Sequence, residues 1–492
     1  MRKYFISLYF SLIKDLFKLV TPDNILELKA LVQLLLDKIS ALELTISKLE
    51  AENAALRAEN DQLNARLHLD SHNSHKPPSS DGLHKKPAFP REKGGKPGGQ
   101  QGHEGHTLEM AQNPDHIVMC KPDKCTCGQN LSREPVSILA SRQVFDLPEP
   151  RLEITEYQVA RVVCPRCGQL HTGEFPWGVN APAQYGTGVK ALATLLSCEC
   201  KLPFKKIQTL FEDMYGYPLN VSTITGANTT CYNALAITET IIREKIINSP
   251  VVNGDESGVR CRGGLYWLHV ASTLLFTYLF VHPKRGKEAM ESEGSILKRF
   301  YGFLVHDCLS SYFNFTHLKH ALCGAHLLRE LQSLIENQSQ WAVPFKAFLM
   351  ETYRKPFELR LETRTAIEQQ YDCLMAQAQV EEPPPIRTGR KGKLKRTKGR
   401  NLLERLEKHK GAVLAFAFNP GVPFTNNQAE RDIRPVKVKQ KISGCFRTTE
   451  GASHYARIAG FILTTRKHQL NVFKELCSAF KGYTFLTVNN TS

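Results

Sequence analysis

Leucine recurs at every seventh position through Leu28, Leu35, Leu42, Leu49, Leu56 and Leu63, and this repeat constrains the fold more tightly than any other feature. Three residues ahead of each leucine, and once after the last, stand Ile25, Val32, Ile39, Ile46, Asn53, Asn60 and Leu67. A 3.5-residue apolar period keeps one narrow seam on one side of a helix and winds it into a left-handed coiled coil. β-branched residues at the first seam position with leucine at the second favour two parallel strands. Asn53 and Asn60 would pair across the seam and fix its register. Lys38 with Glu43, and Glu52 with Arg57, place opposite charges across the two strands. The competing reading is a long helix packed on its own chain. The seam is narrow and runs for six heptads, so self-association through residues 25–67 is expected.

The chain has 492 residues, 42% of them hydrophobic, enough for three or four domains. Its formal charge of +16 favours a polyanionic partner, nucleic acid first and an anionic membrane second. Lys14, Asp15 and Lys18 interrupt the apolar run at the N-terminus, which reads as an amphipathic helix and not as a signal peptide. No stretch reaches the ~18 apolar residues of a membrane span. The fourteen cysteines are too scattered for a disulfide framework, so a reducing cytoplasm is the expected setting.

The expected fold class is multidomain α+β. Residues 1–69 form an N-terminal helix and the leucine-zipper coiled coil. Residues 70–110 are a basic Gly/Pro/His-rich linker that cannot bury enough surface to fold alone; it is either a spacer or a segment that tracks phosphate. Residues 111–180 read as a small zinc-ribbon-like β module. Cys125-Thr-Cys127-Gly and Cys164-Pro-Arg-Cys167-Gly are two knuckle-like pairs able to converge on one structural Zn²⁺, with Cys120 as a substitute in the first. The alternating stretch 142–164 between them reads as a β-hairpin. Residues 181–250 are helical, with a helix-turn-helix whose second helix is capped at Ser222 as one reading and an ordinary helical core as the other.

Residues 251–470 carry the candidate chemistry, and 471–492 read as a tail. The pattern predicts a strand ending at Asp255, two further strands, a helix over 295–300, and a buried strand ending at Asp307. Two strands finishing on aspartates can bring the carboxylates to one sheet edge, although aspartate is also a common turn residue. A largely helical insertion, about 318–410, follows. Within it Cys323 and His326 have metal-like spacing, with packing as the plainer explanation. Eight bases between Arg387 and Arg400, among them Arg390, Lys391, Lys393, Lys395 and Arg396, form a loop suited to phosphate. Asn426 or Asn427 then caps a helix that Pro435 ends or kinks. That helix sets Glu430 among Arg431, Arg434, Lys437, Lys439 and Lys441, with only Asp432 in opposition. Such a field suits a carboxylate that holds metal and faces phosphate; the bland alternative is a solvated helix with Glu430 and Arg434 paired.

With these residues in view, the chain resembles the transposases of the insertion sequence 66 family. The resemblance rests on the zipper, KPPSSDG, KPGGQQGHEGHTL, the cysteine pairs, VVNGDESGVR, WLHVAST, GFLVHDCLSSY, HALCGAHLLREL and VPFTNNQAERDIRPVKVKQKISGCFRT. It implies an RNase H-like α/β catalytic domain with a helical insertion. Asp255, Asp307 and Glu430 would be its DDE triad, binding Mg²⁺ (or Mn²⁺). It also implies DNA cleavage and strand transfer by a two-metal mechanism, element ends and target DNA as partners, and accessory proteins of the same element. The competing function is a catalytically inert DNA-binding zipper protein, a repressor or end-binding remnant.

The zipper reading has a direct test. Proline at Leu42 and Leu49 should convert a dimer into monomers by light scattering; an unchanged mass would remove the claim.

Overall fold

The computed structural model describes residues 12–14, 25–67, 108–355, 360–385 and 396–488. The expectations for most of 1–24, for the linker up to residue 107, and for Arg390, Lys391, Lys393 and Lys395 lie outside the described residues. The chain divides into two compact units, one of Met1–Lys85 with Gln332–Ser339, the other of Lys86–Leu331 with Gln340–Ser492.

In the first unit, α1 runs unbroken from Ile25 to Leu67. Its seam side chains Val32, Leu35, Leu42, Ile46, Leu49 and Leu56 are all exposed.

In the second unit, little regular structure precedes residue 187. β1 (Arg161–Val163) pairs antiparallel with β2 (Leu170–Thr172) across the Cys164–Cys167 turn. The hairpin expected over 142–164 does not form, and residues 141–160 hold no strand. A lone two-stranded ribbon is marginal without a covering layer. Here the alternating apolar residues find none: Val144 is 89% exposed and Leu147 84%.

Four helices follow: α2 (Thr187–Thr194), α3 (Phe204–Tyr215), α4 (Val221–Ala234) and α5 (Ala236–Ile247). α3 ends at Gly216, whose φ of 71° is the left-handed conformation that glycine adopts without strain. α4 starts from Asn220, two residues earlier than the Ser222 cap expected. The two helices pack through Ile207, Phe211, Leu219 and Ile224. α4 and α5 also bury Ala227, Cys231, Leu235, Ile242 and Ile246 against the cores of the following sheet, so 181–250 is no separate body.

The sheet contains β3 (Val251–Cys261), β4 (Gly264–Ser272), β5 (Thr277–His282), β6 (Phe303–His306) and β7 (Lys319–Leu322), in the order β5-β4-β3-β6-β7. β3, β4 and β5 are antiparallel neighbours; β6 and β7 run parallel to β3. Parallel strands need both faces covered. One face meets α4, α10 (Asn427–Ser443), α11 (Thr449–Lys467) and α12 (Val472–Phe480) through residues such as Val270, Leu279, Ile433, Phe461 and Leu476. The other meets α5 and the segment 289–318 through Ile246, Leu304, Met290, Phe300 and Phe315.

Several boundaries differ from those read in the sequence. β3 continues through Asp255. Residues 295–300 form turns, because the apolar side chains of Ile296, Leu297 and Phe300 all fold into one core. β7 takes the start of the expected insertion, which is helical only from α6 (Gly324–Glu336) through α7 (Ala342–Arg354), α8 (Leu361–Glu381) and α9 (Lys398–Lys408). Residues 472–486 are no tail, since Val472, Leu476, Phe480 and Leu486 are core. α10 is not ended by Pro435 but continues to Ser443, because the buried Ile433 and Val436 hold it to the sheet on both sides of the lost hydrogen bond.

A buried ion pair fixes α10 and α11 to the β4–β5 connection. Asp432 accepts from Ser272 Oγ at 2.6 Å, Thr277 Oγ1 at 2.7 Å and Lys467 Nζ at 2.7 Å. Lys467 also donates to the Thr273 and Phe276 carbonyls. The two side chains are only 6% and 11% exposed. Removing one member leaves the other charged and buried, which costs about 3–5 kcal/mol. Urea unfolding of Asp432→Asn and Lys467→Met should each show a loss of that order, with the double variant recovering part of it. A loss below about 1 kcal/mol, the range of exposed pairs, would mean that water screens the site.

Candidate active site

β3 outruns its parallel neighbour. Only Val251, Val252 and Asn253 pair with β6, the last opposite Val305. Continuing that register by two residues sets Asp255 beside Asp307, the residue after β6. Past Asn253 no strand pairs with this edge of β3 until the Cys261–Phe446 bridge, and the two carboxylates lie together where β3 and β6 part. Asp307 also does the turn-forming work common for an aspartate: Oδ1 accepts the Leu309 N–H at 3.1 Å. The next residue, Cys308, has φ 74°, a left-handed conformation rare outside glycine. Strain of this kind concentrates at functional sites.

Glu256 joins them. Asp255, Glu256 and Asp307 each offer a carboxylate oxygen within 4.8 Å of the others. Glu256 is the participant that sequence reasoning missed. The DE dipeptide was visible, but adjacent strand residues point to opposite faces. It is held by the Tyr312 hydroxyl at 2.7 Å and by Arg285 Nε at 2.9 Å. Arg285 itself lies over the Trp267 ring, 5.0 Å from its centroid.

Glu430 arrives on α10. The helix start is clamped to β3: Asn426 Nδ2 donates to the Gly254 carbonyl at 2.8 Å, and Asn253 Nδ2 donates to Asn426 Oδ1 at 2.9 Å. Both asparagines are buried. The Asn426 side chain therefore reaches the sheet and caps no N–H of its own helix. One turn on, Glu430 faces α6, with Oε1 at 3.8 Å from both His326 Nδ1 and an Arg329 guanidinium nitrogen. The pairing with Arg434 that the spacing allowed is not the one adopted.

The acids crowd one another. Burial pushes Asp255 well above the usual carboxylate range, the charges of Glu256 and Asp307 push it further, and Glu430 adds to this. Burial and Asp307 also raise Glu256, while Tyr312 and Arg285 pull it back. A cluster with this surplus of negative charge suits a hard divalent cation, whose charge would relieve the repulsion.

The cations of α10 divide into two groups. Arg431, Arg434 and Lys441 are exposed, with Arg431 bonded to Gln428 Oε1 at 2.9 Å. Lys437 donates to the Gly258 carbonyl at 3.2 Å; burial lowers its pKa and the charge of Asp255 opposes that. Lys439 donates to the Ser197 carbonyl at 3.1 Å and lies over the Phe204 ring, so it packs α10 onto the preceding helices. Arg396 pairs with Glu404 at 2.7 Å.

The two cysteine knuckles have like turns. Cys125 N–H bonds the Gln129 carbonyl and Gly128 N–H the Cys125 carbonyl; Cys164 repeats this with Gln169 and Gly168. Backbone donors from Cys127, and from Cys167 and Arg166, lower the Cys125 and Cys164 thiols respectively. Among the described residues, however, the four thiols do not gather within one coordination sphere.

Comparison with known proteins bears on the same segment. The family model described as Transposase IS66 family matches residues 182–454, more than half of the chain. Residues 21–109 match a family of unknown function (DUF6444). No curated protein matches the chain.

The crowding carries a sign that can be measured. A carboxyl with a raised pKa in the folded chain keeps a proton that the unfolded chain has lost, so stability falls as pH rises between the two pKa values. For Asp255 the fall begins near the ordinary aspartate pKa of about 4 and ends above its raised value. The melting temperature of the wild type relative to Asp255→Asn should drop across that window, and Mg²⁺ should restore it in the wild type alone. A difference independent of pH would show that the cluster is not crowded in solution.

Proposed function

The chain belongs to the IS66 family of transposases, and on that premise we propose that it binds the ends of its own insertion sequence, cuts them, and joins them to target DNA. The observation that carries this reading is the meeting of Asp255 and Asp307 where β3 and β6 part; Glu430, on the helix held by the Asn426 clamp, groups with Cys323 and His326 but is near enough for its charge to act on Asp255. The sheet order and strand directions support an RNase H-like catalytic domain. No described helix is long and apolar enough to cross a membrane, and the proposed setting is the cytoplasm.

In this reading Asp255, Asp307 and Glu430 hold Mg²⁺ (or Mn²⁺). Bound there, the metal supplies an activated oxygen nucleophile and offsets charge on the phosphate. The chain's own contribution is placement. Asp255 is fixed within β3, Asp307 directly after β6, and the clamped helix fixes the third acid. Glu256, tied to Tyr312 and Arg285, keeps a negative charge beside Asp255 and Asp307 without swinging free. Arg431, Arg434, Lys437 and Lys441 follow Glu430 along α10 and would track the DNA backbone. Lys439 would act mainly by seating that helix. The basic side chains of Arg390, Lys391, Lys393, Lys395 and Arg396 would add further phosphate contacts.

Self-association through α1 belongs to the same proposal, supported by its heptads and their exposed apolar side chains. So do accessory proteins of the element, which rest on the family alone. Structural zinc on Cys125, Cys127, Cys164 and Cys167 is supported by the paired knuckles and lowered thiols; it needs the two knuckles to close on one ion.

Cleavage of DNA carrying the element's ends, with Mg²⁺, tests the reading. Asp255→Asn, Asp307→Asn and Glu430→Gln should each lose cleavage by at least about a hundredfold, since metal stabilisation is worth several kcal/mol. End binding should stay within a few-fold of the wild type. Near-normal cleavage in any one variant would remove that residue from the triad.

A further inference from the structure

We propose that Cys323, His326 and Glu430 form a second metal site, built for a zinc-class ion, which shares Glu430 with the acidic cluster. Each of the three offers one ligand atom, and these atoms lie within 4.8 Å of one another. Thiolate, imidazole and carboxylate together suit Zn²⁺, whereas Mg²⁺ takes oxygen alone. Three protein ligands leave a fourth tetrahedral position for water or a substrate oxygen.

The fold builds this site. Cys323 is the residue between β7 and α6, and His326 sits in the first turn of α6 with its N–H bonded to the Cys323 carbonyl at 3.1 Å, so the two lie one turn apart. The turn between them is locked by a close approach. Gly324 N–H donates to the Phe424 carbonyl at 2.8 Å, and a Cβ on Gly324 would collide with the Phe424 ring. That contact draws the segment before α10 against the start of α6. The Asn426 N–H then reaches Cys323 Sγ at 3.1 Å, and Glu430 follows one turn later.

Glu430 supplies the independent sign of a missing ligand. Its Oε1 is buried and has no hydrogen-bond partner. The His326 and Arg329 nitrogens at 3.8 Å are beyond hydrogen-bond range. Two ligand atoms bound to one zinc at about 2.0–2.3 Å each span a gap of that size. An ion held here would withdraw Glu430 from Asp255 and Asp307. That consequence rests on the reading of Glu430 as the third catalytic acid; the site itself does not.

The test uses full-length protein in which Cys125, Cys127, Cys164 and Cys167 are serine, stripped with chelator and titrated with Co²⁺ as a zinc substitute. We expect one equivalent to bind with thiolate-to-cobalt charge-transfer absorption. Cys323→Ser should abolish that absorption, and His326→Ala and Glu430→Gln should each weaken binding at least roughly tenfold. No such absorption, or the same absorption in Cys323→Ser, overturns the proposal. If Cys323→Ser does not fold, unchanged affinity in both His326→Ala and Glu430→Gln overturns it equally. In the chain with all cysteines intact, the same substitutions should lower bound zinc by one ion. A wild-type protein that never cleaves DNA would sink the transposase reading while leaving the cobalt titration able to decide this one.

Discussion

The seating of α10 on the sheet is the contact on which the rest depends. Two buried asparagines clamp the helix start to β3, and the Asp432–Lys467 pair ties the next turn to the β4–β5 connection. Ala429, Ile433 and Val436 fill the space beneath. Buried polar bonds of this type are costly to break singly and directional when complete. They therefore fix the rotation of α10 as well as its position. Glu430 points toward α6, while Asp255 lies within β3 and Asp307 directly after β6 of the same sheet.

The price of that placement is electrostatic. Four carboxylates, Asp255, Glu256, Asp307 and Glu430, act on one buried region. Arg285 and Tyr312 answer Glu256, and Arg329 stands off from Glu430. Among the described residues no cationic side chain is bonded to Asp255, and its charge is felt by Lys437 only at a distance. A bound cation would relieve such a surplus, which is why the cluster is a candidate metal site. Lys437 and Lys439 show that basic side chains in one run divide between the site and the packing of the helix.

Much of this was readable in the residues. The zipper spacing gave α1 its extent, and the two aspartates were placed at strand positions that converge. The boundaries failed where burial overrode local pattern. The alternation over 142–164 found no layer to cover it and stayed irregular. Pro435, which locally should break a helix, sits in one because the residues on both sides are packed. Residues 472–486 looked like a tail, yet their apolar face completes the core against α4 and α11.

The sequence by itself determined which side chains are candidates for chemistry, because periodicity, charge and motif are local properties that a single chain displays. It named Asp255, Asp307 and Glu430 and put positive charge around the last. Only the tertiary structure decided how they meet. The parting of β3 from β6 sets Asp255 beside Asp307. The partnership of Glu256 with Tyr312 and Arg285, and of Glu430 with Cys323 and His326, joins residues far apart in the chain. Such contacts depend on strand register and helix rotation, which arise from the packing of the whole sheet and leave no local mark on the sequence.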